Sequence, residues 1–174
     1  EAGVSRPATL VLAWGNPGRR DDGLGPAFAT ALGELSLPGY AVEANYQLQV
    51  EDAARLADCG RVLFVDADRC GDEPFRVRRV EPEAGGIGFT SHSISPGRLL
   101  ALGRDLFCAE PEAWLMGIRG YDFDRFGEGL SPGARANLAL AIGFARDALG
   151  EDEVGGDGPA VCAAVFDTEQ ATRG

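Results

Sequence analysis

The chain has 174 residues, enough for a single domain with a substantial core, and its composition is that of a globular protein rather than a disordered one. Its 16 basic and 27 acidic residues leave a net charge of −11, which argues against a protein built to grip nucleic acid or an anionic membrane. No apolar run approaches membrane-spanning length and no signal peptide is legible, so a cytoplasmic protein with neither a membrane nor a nucleic-acid partner is expected.

Thr9 to Trp14 is apolar and β-prone and predicts a buried strand. It runs into the loop Gly15-Asn16-Pro17-Gly18-Arg19-Arg20-Asp21-Asp22-Gly23-Leu24-Gly25. That loop opens into a helix predicted from Pro26 to Leu35, with proline in its first turn. Tyr40 to Tyr46 predicts a second strand and Val50 to Ala57 a short helix. Arg61 to Val65 is a third strand, ending at Asp66, and Phe75 to Val80 a less buried fourth. Ser95-Pro96 reads as the cap and first turn of a helix running to Phe107. Ala113 to Ile118 is a fifth strand, and Ser131-Pro132 begins a long amphipathic helix ending near Gly150. Residues 151–158 are acidic and glycine-rich, so 151–174 is expected to be a linker and tail outside a single domain spanning 1–150. Cys59, Cys70, Cys108 and Cys162 form no Cys-x-x-Cys pair and read as free thiols.

Alternating β and α units predict a three-layer αβα sandwich around a mostly parallel, twisted five-stranded sheet. Such sheets bind ligands beyond the carboxyl ends of their strands, where the strand order reverses. If the order begins 2-1-3, the loops after the first and third strands face each other, and Asp22 and Asp66 stand on those loops.

The first loop carries paired acids where a phosphate cradle would carry bare amides or a lysine. Asp22, Asp66 and the lone histidine, His92, together make a donor set suited to Zn²⁺, Ni²⁺ or a similar ion, with positions left open. Without a cation, Asp21, Asp22, Asp66 and Asp68 would repel one another and raise some carboxyl pKa values. Each acid also has a plain structural reading, as a helix cap or a turn former. Arg19 and Arg20 are expected to pair with acids or solvent, or to contact a substrate carboxylate. Trp14, Trp114 and Phe64 are expected in the core, as are Tyr121, Phe123 and Phe126, and Gly127-Glu128-Gly129 is expected to be a mobile loop.

On these residues the chain resembles the [NiFe]-hydrogenase maturation endopeptidases. Their first loop follows Gly-Asn-x-x-x-x-Asp-(Asp/Glu)-(Gly/Ala)-x-Gly, matched by Gly15 to Gly25. Their third strand ends in Asp-Ala, matched by Asp66-Ala67, and their site histidine lies in a Ser/Thr-rich loop, matched by Ser91-His92-Ser93. The late segment Met116-Gly117-Ile118, followed by Gly129-Leu130-Ser131-Pro132, is similar to the family's last strand and helix start. The resemblance implies a hydrolase that removes a short C-terminal extension from the hydrogenase large-subunit precursor once nickel has entered it. It also implies that Asp22, Asp66 and His92 contact that nickel and carry the catalysis. The nickel belongs to the substrate, so no permanently bound cofactor is expected. By residue type, Asp22 or Asp66 can serve as general base toward water while the metal polarises the scissile carbonyl.

Two stretches depart from the family pattern. Asn45 to Asp52 replaces a Gly-Gly-Thr-like stretch beside the cleft, and the motifs do not cover the chain beyond Gly150. The Trp14-Gly15-Asn16-Pro17 opening is similar to members serving cytoplasmic NAD-reducing hydrogenases. The Gly-Asn-Pro-Gly run also resembles peptidyl-tRNA hydrolase, but Arg20-Asp21-Asp22-Gly23 stands where that family's next motif belongs. A non-catalytic, metal-sensing chaperone of the same maturing partner is the other alternative.

Overall fold

The computed structural model describes residues 8–84 and 94–150. Five strands form one sheet: β1 (Thr9–Trp14), β2 (Tyr40–Asn45), β3 (Arg61–Asp68), β4 (Phe75–Arg79) and β5 (Glu112–Arg119). Their order is β2-β1-β3-β5-β4, with every pairing parallel except β4 on β5. The expected 2-1-3 order is therefore present. The chain leaves β1 in one direction to form β2 and crosses back to form β3, so the strand order reverses at the carboxyl end of β1.

The two faces of the sheet divide the apolar residues by the two-residue period of a strand. Val11, Ala13, Leu63 and Val65 pack with Phe28 and Leu32 of α1 (Leu24–Glu34) and with Ala134, Ala141 and Ala145 of α3 (Pro132–Gly150). Leu10, Leu12, Val62 and Phe64 pack on the other side with Ala53 and Leu56 of a 3-10 helix (Val50–Asp58) and with Leu99 and Leu102 of α2 (Pro96–Phe107). Both faces of the parallel strands are covered, and the expected three-layer α/β sandwich follows. Trp114 and Phe64 are core residues as expected, and Trp14 meets Phe64 edge-on at 6.2 Å between ring centroids.

Six elements differ from their sequence-based bounds, β2 by ending at Asn45 and β5 by gaining one residue at each end. α1 begins at Leu24, which puts Pro26 in the first turn, where a missing N–H is harmless. Val50–Asp58 winds as a 3-10 helix, fixed at its start by a reciprocal capping box between Gln49 and Asp52. β3 runs on to Asp68 because Asp66, Ala67 and Asp68 pair with Gly117, Ile118 and Arg119 of β5. β4 stops at Arg79, although the Val80 N–H still reaches the Ala113 carbonyl. The start of α2 is as expected, with the Ser95 hydroxyl accepting the Arg98 N–H at 3.2 Å.

Candidate active site

The loop after β1 is a compact knot whose fold aims Asp22. Gly15 has φ +146°, and a Cβ there would lie 2.0 Å from the Asp22 carbonyl oxygen. A Cβ at Gly25 would lie 2.1 Å from the Trp14 carbonyl oxygen, so the first turn of α1 sits directly on the end of β1. Two glycines therefore let the chain double back within the span of the loop. The Asn16 side chain accepts the Gly18 N–H at 2.9 Å, closing the turn. A single 3-10 turn, Arg20–Gly23, then carries both acids.

The two acids of that turn part company. The Asp22 side chain is half-buried and its Oδ2 accepts the Asn16 N–H at 2.9 Å, which leaves further lone pairs unused by that bond. Asp21 points inward and is fully buried. It accepts the N–H groups of Tyr121 at 2.8 Å, Asp122 at 2.9 Å and Ser131 at 2.7 Å, and the Ser131 hydroxyl at 2.7 Å. Burial alone would raise its pKa, but those donors outweigh it and hold the carboxyl below the ordinary carboxylate range. Asp21 is thus a structural anion that ties the first loop to the segment between β5 and α3.

Asp66 stands on β3, opposite Gly117 of β5, and its Oδ1 accepts the Ala67 N–H at 2.8 Å. Its pKa is pushed up to about 6. Burial is the main cause, and the charges of Asp22 and Asp68 add to it. The Ala67 N–H and the Trp14 side chain pull the other way. The Asp22 charge thus acts on Asp66 across the strand-order reversal, the pairing expected of loops one and three. Asp68 is spent locally: its Oδ1 accepts the N–H groups of Cys70 at 3.1 Å and Gly71 at 2.8 Å and makes the turn after β3.

His92 and its neighbours at 85–93 lie outside the described residues, so the third member of the expected trio has no position here. Among the described residues, no three His, Cys, Asp or Glu side chains are grouped to hold an ion. The described residues on either side of 85–93 meet each other. The Glu83 N–H donates to the Gly97 carbonyl at 2.9 Å, and the Ser95 hydroxyl donates to Glu83 Oε1 at 2.5 Å. They meet at the start of α2, whose other end leads within five residues to the start of β5.

The segment after β5 adds residues that sequence reasoning did not assign to the site. Arg20 N–H donates to the Gly127 carbonyl at 3.0 Å and Gly127 N–H to the Gly18 carbonyl at 2.8 Å, so the glycine loop expected to be mobile is hydrogen-bonded to the first loop. Phe123 is core as expected, but Phe126 is 83% exposed, with the Arg19 guanidinium 5.6 Å from its ring centre, and Tyr121 is also exposed. Ser131, read as a helix cap, accepts the Ala134 N–H at 3.3 Å and also serves Asp21. A separation of 110 residues hides that second role from any local pattern.

No family model matches the chain, and no curated protein matches it. Solved structures do. The hydrogenase maturating endopeptidase HybD from E. coli is similar with a TM-score of 0.64 and 19% identity, covering 83% of this chain and 93% of that one. The [NiFe] hydrogenase maturation protease HycI from Thermococcus kodakarensis KOD1 gives 0.63 and 19%, covering 84% and 93%. The hydrogenase 2 maturation peptidase from a Thaumarchaeota archaeon gives 0.60 and 22%, covering 82% and 97%. The fold is that of hydrogenase maturation proteases. At these identities the likeness is one of backbone path, and the chemistry must be argued from the side chains.

Proposed function

We propose that this chain is an endopeptidase that removes the C-terminal extension of a nickel-loaded [NiFe]-hydrogenase large-subunit precursor in the cytoplasm. One observation carries the reading: Asp22 and Asp66 are electrostatically coupled at the strand-order reversal, and the Asp66 carboxyl is pushed up to about 6. Two half-buried carboxylates whose charges act on each other repel, and a cation offered by the substrate removes the repulsion. Binding is then strongest for a precursor that already carries its metal, so the acid pair tests whether the metal has been inserted. His92 supplies the third donor. Two carboxylates and one imidazole leave positions open for the substrate's own ligands and the scissile carbonyl, which the nickel polarises. Asp66, ionising close to neutrality, is the member matched to taking a proton from the attacking water.

The test incubates the protein with nickel-loaded and nickel-free precursor and reads the precursor's mass. Loss of a C-terminal peptide from the loaded form alone is expected, falling by at least about 100-fold in Asp22→Ala and His92→Ala. Equal cutting of the nickel-free form would remove the recognition role of the metal. A stable complex without mass loss would make the protein a chaperone of the precursor.

A further inference from the structure

Arg20 combines features of a binding residue rather than of a solvated surface charge. Among the described residues, Arg55, Arg69, Arg79, Arg104, Arg125 and Arg146 each meet a carboxylate. Arg20 meets none of the described acids, in a chain with 27 acids and 16 bases. Its guanidinium is fixed all the same. Nη1 donates to the Glu128 carbonyl at 2.9 Å, and a Cβ placed on Gly127 would lie 3.1 Å from Cζ, Nε and Nη2. The Nε atom is buried and has no hydrogen-bond partner. The backbone of Arg20 has φ +51°, a left-handed conformation in which glycine would sit without steric cost.

Arg20 lines a pocket of about 270 Å³ with Pro17, Pro26, Ala27, Thr30 and Leu130. No carboxylate lines it, and the Thr30 hydroxyl donates back to the Pro26 carbonyl at 3.1 Å. The pocket is therefore largely apolar, beside a fixed cation that no described carboxylate neutralises. Such a fork favours a carboxylate, which can take two parallel N–H bonds and supplies the missing charge. Gly23, which also lines the pocket, directly follows Asp22.

We infer that the Arg20 pocket receives a carboxylate borne on an apolar stretch of the substrate protein's C-terminal segment, an inference that rests on the function proposed above. The loop then presents receptors of both signs a few residues apart: Asp22 with Asp66 for a cation, and Arg20 for an anion. A segment carrying both charges at matching spacing is held across the cleft, and one that lacks the anion binds more weakly at the same chemical centre.

The test is an NMR titration of the ¹⁵N-labelled protein with three probes: Ac-Ala-Val-Leu as the free acid, the same peptide as its amide, and Ac-Ala-Asp-Leu-amide. The Arg20 Nε–H, Gly23 and Gly129 signals are expected to shift with the free acid or with the aspartate peptide, whichever carries the preferred carboxylate, and to stay put with the neutral amide. The shifts should vanish in Arg20→Gln and in Arg20→Gly, the latter relieving the left-handed backbone so that loss of folding is not the cause. Equal shifts with the neutral amide, no shift with any probe, or shifts retained in both variants would overturn the assignment. In processing assays Arg20→Gln should raise KM about tenfold with little change in kcat. Wild-type protein that fails to trim a loaded precursor would defeat the proposed function and leave the titration to decide the pocket. Normal trimming with an unchanged KM in Arg20→Gln would defeat the Arg20 assignment alone.

Discussion

Two aspartates of the site, Asp21 in the 3-10 turn and Asp66 on β3, have opposite fates, and the difference is a matter of donors. Asp21 is offered four hydrogen-bond donors and stays ionised although buried. Asp66 is offered two, against burial and two like charges, and resists ionisation up to about pH 6. The signs of the resulting stability changes are opposite. A carboxyl raised from 3.8 to about 6 binds a proton in the folded state that the unfolded chain has released, so its contribution is full below about 4 and lost as pH rises through 6. Asp21, shifted down, contributes above the ordinary carboxylate value of 3.8, and that contribution is lost as pH falls through its lower folded value. Urea melts of two variants across pH 4 to pH 8 measure both. Asp66→Asn should stabilise the free protein by about 2 kcal/mol at neutral pH, with the gain fading toward pH 4. Asp21→Asn should cost about 2–4 kcal/mol at neutral pH, because an amide group would confront donors that now meet only oxygen. An Asp66→Asn variant no more stable than wild type at pH 7 would show that the carboxyl is not in a repulsive setting.

At the scale of elements, the site depends on how tightly α1 is seated on β1. The contact is backbone on backbone, since a Cβ at Gly25 would come within 2.1 Å of the Trp14 carbonyl oxygen and 3.0 Å of the Trp14 nitrogen. Neither atom can rotate away as a flexible side chain would. Gly25→Ala should therefore lift the helix, release the 3-10 turn that aims Asp22, and cost about 3 kcal/mol or more in chemical denaturation. Gly33, in the same helix, has open space where a methyl group would stand, with nothing within 4 Å, so Gly33→Ala should stabilise by about 0.5–1 kcal/mol. If the two substitutions had equal effects, close seating of the helix would not be what shapes the loop. The segment from Gly120 to Ser131 is a second clamp, joined to the first loop through hydrogen bonds to Asp21, Gly18 and Arg20.

For the whole molecule, the question is whether one point in space gathers a carboxylate from the end of β1, another from β3 and the imidazole that precedes α2. The charge of Asp22 already acts on Asp66, while His92 lies outside the described residues. Ni²⁺ added to the free protein should then raise its melting temperature, by an amount equivalent to about 2.7 kcal/mol at a hundredfold excess over Kd. His92→Ala and Asp22→Ala should each reduce that shift severely, as differential scanning calorimetry would record. A shift unchanged by His92→Ala would place the histidine away from the acids.

Much of this was legible in the sequence because its signals are local. Apolar runs of the right length and period marked all five strands, and Ser95-Pro96 and Ser131-Pro132 marked helix starts through caps that act over three residues. Alternation of these elements implied the layered sheet, and glycine spacing between Trp14 and Leu24 implied a tight turn that displays an acid. Which acid was displayed could not be read there. Asp21 and Asp22 are the same residue type in adjacent positions, and only donors brought from residues 121–131 make one of them internal. The spare charge of Arg20 and the exposure of Phe126 were hidden for the same reason, since each depends on what the chain places beside it from more than 100 residues away. Local chemistry wrote the elements and the candidate residues, while long-range backbone hydrogen bonds, which leave no periodic trace in the sequence, decided which acid of the first loop is internal.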